Sequence, residues 1–118
     1  MAITQTETDA GVLHKDTDAG NTPVKDIAHG PCTLYHFDVG GTVNEDDLVM
    51  LYDHANPTVG TTEPIETWLI DASNPVVIPL GEDGVVFDTA LSYAIVQASD
   101  GTSDPGATVT LALTLVKG

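Results

Sequence analysis

From Pro31 onward, apolar and polar residues alternate with the period of two that a half-buried β-strand requires. In the first such run Thr33, Tyr35, Phe37 and Val39 share one face, with Cys32, Leu34, His36 and Asp38 opposite, and Gly40-Gly41 ends it. Leu48 to Tyr52 forms a second strand, closed by Asp53-His54-Ala55-Asn56-Pro57. In a third, Ile65, Thr67, Leu69 and Asp71 alternate with Glu66, Trp68 and Ile70. Asn74-Pro75 separates it from a short strand at Val76-Val77-Ile78. Gly81-Glu82-Asp83-Gly84 then makes a tight connection into Val85-Val86-Phe87, because both glycines can adopt positive φ. Leu91 to Ala98 follows. The last strand is the clearest, with Val109, Leu111, Leu113 and Leu115 facing inward and Thr108, Thr110, Ala112 and Thr114 facing out. Strands recurring roughly every 8 to 15 residues between Gly, Pro, Asn and Asp predict an all-β chain. The expected fold is an antiparallel two-sheet sandwich of seven or eight strands with jelly-roll-like connections. Seven prolines leave room for one helical turn at most, between Asp88 and Tyr93.

The first thirty residues differ. Thr, Asp, Gly and Ala dominate, and Asp16, Asp18, Gly20, Asn21 and Pro23 interrupt any regular period. Val12, Leu13, Val24 and Ile27 are among the few large apolar residues, too few to offset the entropy of ordering the segment. The reading is an extended N-terminal arm at 1–30, mobile when the protein is alone, and a sandwich domain at 31–118. A short first strand around Val24 to Ile27 is a compatible alternative. In the arm reading, those four residues are the contacts that would order on a partner.

Composition narrows the function classes. At 118 residues the chain holds one core, and 42% hydrophobic against 18% charged residues describes a folded domain. Eighteen acidic residues face only Lys15, Lys25 and Lys117, a net charge of -15. That charge repels phosphate, so neither nucleic acid nor an anionic membrane surface is an expected partner. No apolar run approaches the roughly 18 residues of a spanning helix. The opening Met1-Ala2-Ile3-Thr4-Gln5-Thr6 lacks the basic and apolar regions of a secretory signal. A single cysteine, Cys32, excludes an internal disulfide.

Candidate chemistry is sparse. His14, His29, His36 and His54 invite a metal reading, and Cys32 would share a face with His36 on a regular strand, but two ligands do not make a site. Asn44-Glu45-Asp46-Asp47, the loop holding Asp100, Ser103 and Asp104, and Asp16-Thr17-Asp18-Ala19-Gly20 offer oxygen ligands without the full set of a calcium loop. Neither a metal nor a cofactor is expected. Ser73, Ser92, Ser99 and Ser103 lack a nucleophile-elbow context, and no glycine-rich phosphate loop follows a strand, so the chain does not read as an enzyme. Tyr35 and Tyr93 read as core, while Tyr52 and Trp68 remain as further aromatics. Trp68, opposite Leu69, is either a core contact of the second sheet or an interface residue.

Two stretches carry a family resemblance. Tyr52-Asp53, then Pro57-Thr58-Val59-Gly60-Thr61-Thr62 and Pro64, resembles a segment of small β-sandwich proteins from the virion gene clusters of tailed bacteriophages. Gly84, Phe87, Leu91-Ser92-Tyr93-Ala94 and the acidic loop around Asp104 continue the likeness, which runs from about Leu34 to Val116. The resemblance implies a capsid decoration (cement) protein, bound to the major capsid protein on the outer surface of the virion as a homo-oligomer, often a trimer. It implies no catalytic or cofactor residues. The chain departs from that pattern in its acidity and lack of arginine. The alternative function is a receptor- or glycan-binding module of a phage tail fibre or spike, with Trp68 or a tyrosine as the platform.

Overall fold

The computed structural model describes residues 3–41, 45–71 and 76–118. Nine strands run in chain order: β1 (Ile3–Thr8), β2 (Gly11–Ala19), β3 (Cys32–Gly41), β4 (Asp47–Asp53), β5 (Glu66–Ile70), β6 (Val76–Pro79), β7 (Val85–Phe87), β8 (Leu91–Gln97) and β9 (Val109–Lys117). They form two antiparallel sheets packed face to face, and the described residues contain no helix. The larger sheet has the order β1-β2-β9-β3-β6, with β7 also paired to β3; the smaller has the order β5-β4-β8. The chain crosses between the sheets at the connections β3–β4, β5–β6, β7–β8 and β8–β9.

The centre is β9. Its alternation of Val109, Leu111, Leu113 and Leu115 buries all four between the sheets, while Thr110, Ala112 and Thr114 face outward. Phe37 and Val39 of β3, Val12 of β2, and Val49, Leu51, Leu91 and Ile95 of the smaller sheet complete this core. A second, smaller core lies on the far side of the smaller sheet. There Met50, Tyr52, Ala94 and Val96 pack with Val59, which the 54–64 loop folds back over the sheet. That loop closes on itself through Thr62 N–H donating to Thr58 O at 2.8 Å and Thr58 N–H to Thr62 Oγ1 at 2.9 Å. Strands β4 and β8 are therefore buried on both faces, which explains why they read as near-continuous apolar runs.

Three expectations give way. The first is the arm. Residues 3–19 are a β-hairpin whose second strand pairs with β9 from Val12 to Ala19, so the described part of the segment, 3–30, does not stand apart from the sandwich. Val12, His14, Asp16 and Ala19 point inward in β2, and two of these four are polar, which hides the strand from a search for apolar alternation. The short-strand alternative is closer to the fold: Val24 exchanges two backbone hydrogen bonds with Tyr93, and Ile27 N–H donates to Leu91 O at 3.0 Å. The second is the phase of β3. A bulge between Leu34 and His36 places an extra residue, Tyr35, opposite β9, so Cys32 and Leu34 face inward together with Phe37 and Val39. Tyr35 is consequently half-buried rather than core, and Cys32 and His36 lie on opposite faces. The third is the strand count, nine instead of seven or eight, because β1 and β2 were assigned to the arm. The Asn74-Pro75 break lies outside the described residues.

Strands β6 and β7 form one interrupted edge along β3, bulging out at residues 80–84. Gly81 and Gly84 adopt φ of +86° and +64° there, and a side chain on Gly84 would meet Leu34 O at 2.6 Å.

Removing residues 1–25 strips β9 of its β2 neighbour and leaves Tyr93 without its buried partners. Total stability of a domain this size is about 5–15 kcal/mol, less than the sum of those losses. The truncated chain is expected to show no cooperative melting transition by circular dichroism. A sharp transition within a few degrees of the full-length protein would restore the arm reading.

Candidate functional site

The five sequence-predicted contact residues separate in the fold. Val12 and Ile27 belong to the main core, and Val24 packs against it. Leu13, the neighbour of Val12 in β2, points the other way and is 52% exposed. Trp68 is half-buried at the rim of the core, in a T-shaped contact with Phe37 with centroids 5.8 Å apart, and its Nε1–H has no hydrogen-bond partner among the described residues. Of the five, Leu13 is on the outside of the larger sheet and Trp68 is at the edge of the smaller one.

The hairpin is locked to the sandwich by a buried polar chain. His14, 2% exposed, has Nδ1 at 2.6 Å from Gln5 Oε1 and Nε2 at 2.7 Å from the Tyr93 hydroxyl. Gln5 Nε2 donates to Ile27 O, so its oxygen faces His14 and Nδ1 carries a proton. Tyr93 also lies 2.9 Å from Asp16 Oδ2, and Asp16 Oδ1 accepts the Asp18 N–H. The Tyr93 hydroxyl donates to Asp16 Oδ2, and its oxygen is placed to accept from His14 Nε2–H when the imidazole is charged. Burial holds His14 below the usual histidine range, with the Asp16 charge opposing, and burial next to Asp16 pushes the Tyr93 hydroxyl up. The chain thus joins β1, β2, β8 and the 20–30 connection. Sequence reading placed His14 and Asp16 in a mobile segment; the only signal available was their i, i+2 spacing, which puts both on one face of a strand.

The other metal candidates are also engaged locally. Buried Cys32 has its thiol pushed up to about 11 by desolvation and then by the Asp53 and Asp26 charges. His54 Nδ1 accepts the Asn56 N–H, and Asp16 lies in β2 rather than in a loop. Asp100 accepts N–H groups of Thr102 and Ser103 at 2.9 and 2.8 Å together with the Ser103 hydroxyl. The hydroxyl first, then those N–H groups, pull its carboxyl down to about 2. Glu45 accepts the Gly106 N–H, while Asn44 lies outside the described residues. A polar cleft of about 410 Å3 runs between 18–22 and 104–108, where Asp104 Oδ1 accepts the Asn21 N–H at 2.8 Å. No three His, Cys, Asp or Glu side chains among the described residues are grouped to hold a metal ion.

What the fold does present is an exposed sheet face with little charge. Strand register gives its rows: Thr8, Gly11, Val116, Thr33 and Val86; then Thr6, Leu13, Thr114, His36 and Pro79; then Thr4, Lys15, Ala112 and Asp38. Eighteen acidic residues occur in the chain, yet Asp38 is the one carboxylate in these rows. A second exposed apolar site lies on the edge strand β5, where Leu69 is 61% and the preceding Ile65 47% exposed. Comparison with protein-family models, curated proteins and solved structures finds no match to this chain.

Two stability outcomes follow from the buried polar groups. Tyr93→Phe leaves His14 and Asp16 each short of a partner and is expected to cost about 3 kcal/mol. Tyr52→Phe, whose hydroxyl meets only Met50 Sδ among the described residues, at 3.7 Å, is the matched control and is expected to cost less than about 0.5 kcal/mol. Equal losses in urea titrations would remove the network's role.

Asp47 behaves oppositely. It is 2% exposed, its Oδ1 has no hydrogen-bond partner among the described residues, and desolvation with the Glu45 and Asp46 charges pushes its carboxyl up to about 6 from 3.8. The folded state therefore holds this proton more tightly than the unfolded one, and stability is lost as pH rises through 6. Asp47→Asn is expected to stabilise the protein by about 1–2 kcal/mol at pH 7.5 and by nothing below about pH 4. A gain independent of pH would point to packing instead of charge.

Proposed function

We propose that this chain is a virion structural protein that decorates a tailed-phage capsid, binding the major capsid protein on the outer surface of the shell as an oligomer. The resemblance over Leu34 to Val116 suggests the class, and one observation carries the reading toward protein contact. At the edge of the smaller sheet, β5 pairs on one side with β4 and, among the described residues, with no strand on the other, next to exposed Ile65 and Leu69 and half-buried Trp68. An open strand edge with flanking apolar side chains is a template for another protein's backbone, not for a small molecule. The quoted Pro57-Thr58-Val59-Gly60-Thr61-Thr62 stretch is the loop that covers the smaller sheet and leads into this edge. A strongly acidic body also suits the outside of a shell, away from packaged DNA.

The glycan-binding alternative asks for a flat aromatic platform open to solvent. Trp68 does not offer one, since it is half-buried and packed against the core beside Phe37, and of the tyrosines Tyr52 and Tyr93 are buried and Tyr35 is half-buried. The two readings separate in a co-sedimentation assay with capsids lacking this protein, run beside a glycan array. The expected outcome is sedimentation with capsids, no sugar preference, and at least about a tenfold loss for Leu69→Asp, about 1.4 kcal/mol. Selective glycan binding without capsid attachment would reverse the order of the two.

A further inference from the structure

We propose that the outer face of the larger sheet is a two-fold interface between two copies of this chain. Three independent complementarities meet on it. The first is symmetry of the sheet itself. Counted across, the face has β1 and β2 on one side of β9, and β3 and the broken edge β6/β7 on the other. A two-fold axis along β9 therefore lays β2 of one copy over β3 of the other, and β1 over β6/β7. Such isologous contacts are reciprocal, so each complementary pair counts twice. Aligned face-to-face packing of sheets about 10 Å apart is a standard arrangement for such a surface, and inclining the axis to β9 by about 15° gives the usual crossing of about 30° while keeping these strand pairs opposed.

The second is charge. Lys15 and Asp38 both pair with Ala112, from opposite sides of β9, and so occupy mirror positions about the proposed axis. Superposing two copies brings each Lys15 over the other's Asp38. Within one copy the two side chains are kept apart by β9 and do not form an ion pair. Lys15 is exposed and has no ion-pair partner among the described residues, while the Asp38 side chain is 46% exposed, its buried Oδ1 turned inward 3.9 Å from the His36 ring. Lys117, by contrast, is already engaged with Glu7. On a chain of net charge -15, a contact made through the acidic connections would mostly set carboxylate against carboxylate.

The third is shape. Gly11 has no side chain, and beside it runs an apolar groove of about 390 Å3 lined by Thr6, Thr8, Ala10, Leu13 and Thr114. The mirror position of the Thr8–Gly11 end of that row is Thr33 and Val86, and Val86 is 56% exposed. The same operation that joins Lys15 to Asp38 thus sets Val86 of each copy over the other's groove, while small Ala112, Thr114 and Val116 meet on the axis. The face is used by a second copy, and the β5 edge is left free, so this inference goes beyond the capsid reading and does not depend on it.

Charge reversal tests it directly. Sedimentation velocity of the full chain at roughly 100 µM, about 0.15 M salt and neutral pH is expected to give twice the 12.3 kDa chain mass. Lys15→Glu and Asp38→Lys alone each set like charges together at two places and are expected to weaken dimerisation at least tenfold. The double variant, Lys15→Glu with Asp38→Lys, restores opposite charges and should recover the dimer. Both positions are on the exposed face, and circular dichroism confirms that each variant keeps its β-structure. A monomeric wild type, a trimer, a dimer indifferent to either single reversal, or a double variant that stays monomeric would each overturn the proposal. Failure of capsid attachment with the dimer intact would leave it standing.

Discussion

Everything in this sandwich is anchored to β9. A strand in mid-sheet has both of its edges hydrogen-bonded, and β9 pairs with β2 on one side and β3 on the other along almost its whole length. Its inner face supplies four fully buried aliphatic side chains, and burying each contributes about 1.5–3 kcal/mol relative to exposure. Because β9 follows the other eight strands in chain order, neither flank can complete its ladder until that strand is in place. The hairpin β1–β2 and the core strand β3 are adjacent in the fold only through it. Contacts here are dominated by pairings far apart in sequence, the topology associated with slow folding.

This dependence also decides what could be read from the sequence. Strand β9 was legible because its inward residues are all apolar and its outward ones are mostly threonine. Strands β4, β5 and β8 were legible for similar reasons, and the turn at Gly81 to Gly84 was legible from its glycines. Strand β2 was not. It docks against the same β9 with the inward set Val12, His14, Asp16 and Ala19, and no hydropathy pattern identifies a histidine and an aspartate as buried. They become tolerable inside only because Tyr93, some eighty residues later, carries the hydroxyl that both need. The error over β3 has a different origin. Its bulge at Tyr35 is a property of the pairing with β9, so half of the strand reads in the wrong phase from sequence alone. Those two features also govern the candidate surface. The phase of β3 places Asp38 outside, and docking of β2 places Lys15 outside, so the face was invisible until both strands were set beside β9.

The acidity of the chain then takes on a structural meaning. With three lysines and no arginine, most carboxylates cannot find a cation. Several instead accept backbone N–H groups at the ends of strands. Asp53 receives Asp88, Thr89 and Ala90, Asp26 receives Gly30, and Asp104 receives Asn21. Each ties a connection to a distant part of the chain, or closes a turn, through a charge-assisted bond about twice as strong as a neutral one. Carboxylates so employed are confined to the ends and rims of the sheets, where connections run. The flat faces are then left to threonine, alanine and valine. The concentration of negative charge in the connections and the scarcity of charge on the broad outer face are thus two consequences of one device: in a chain nearly without cations, the backbone of the loops is the counter-ion.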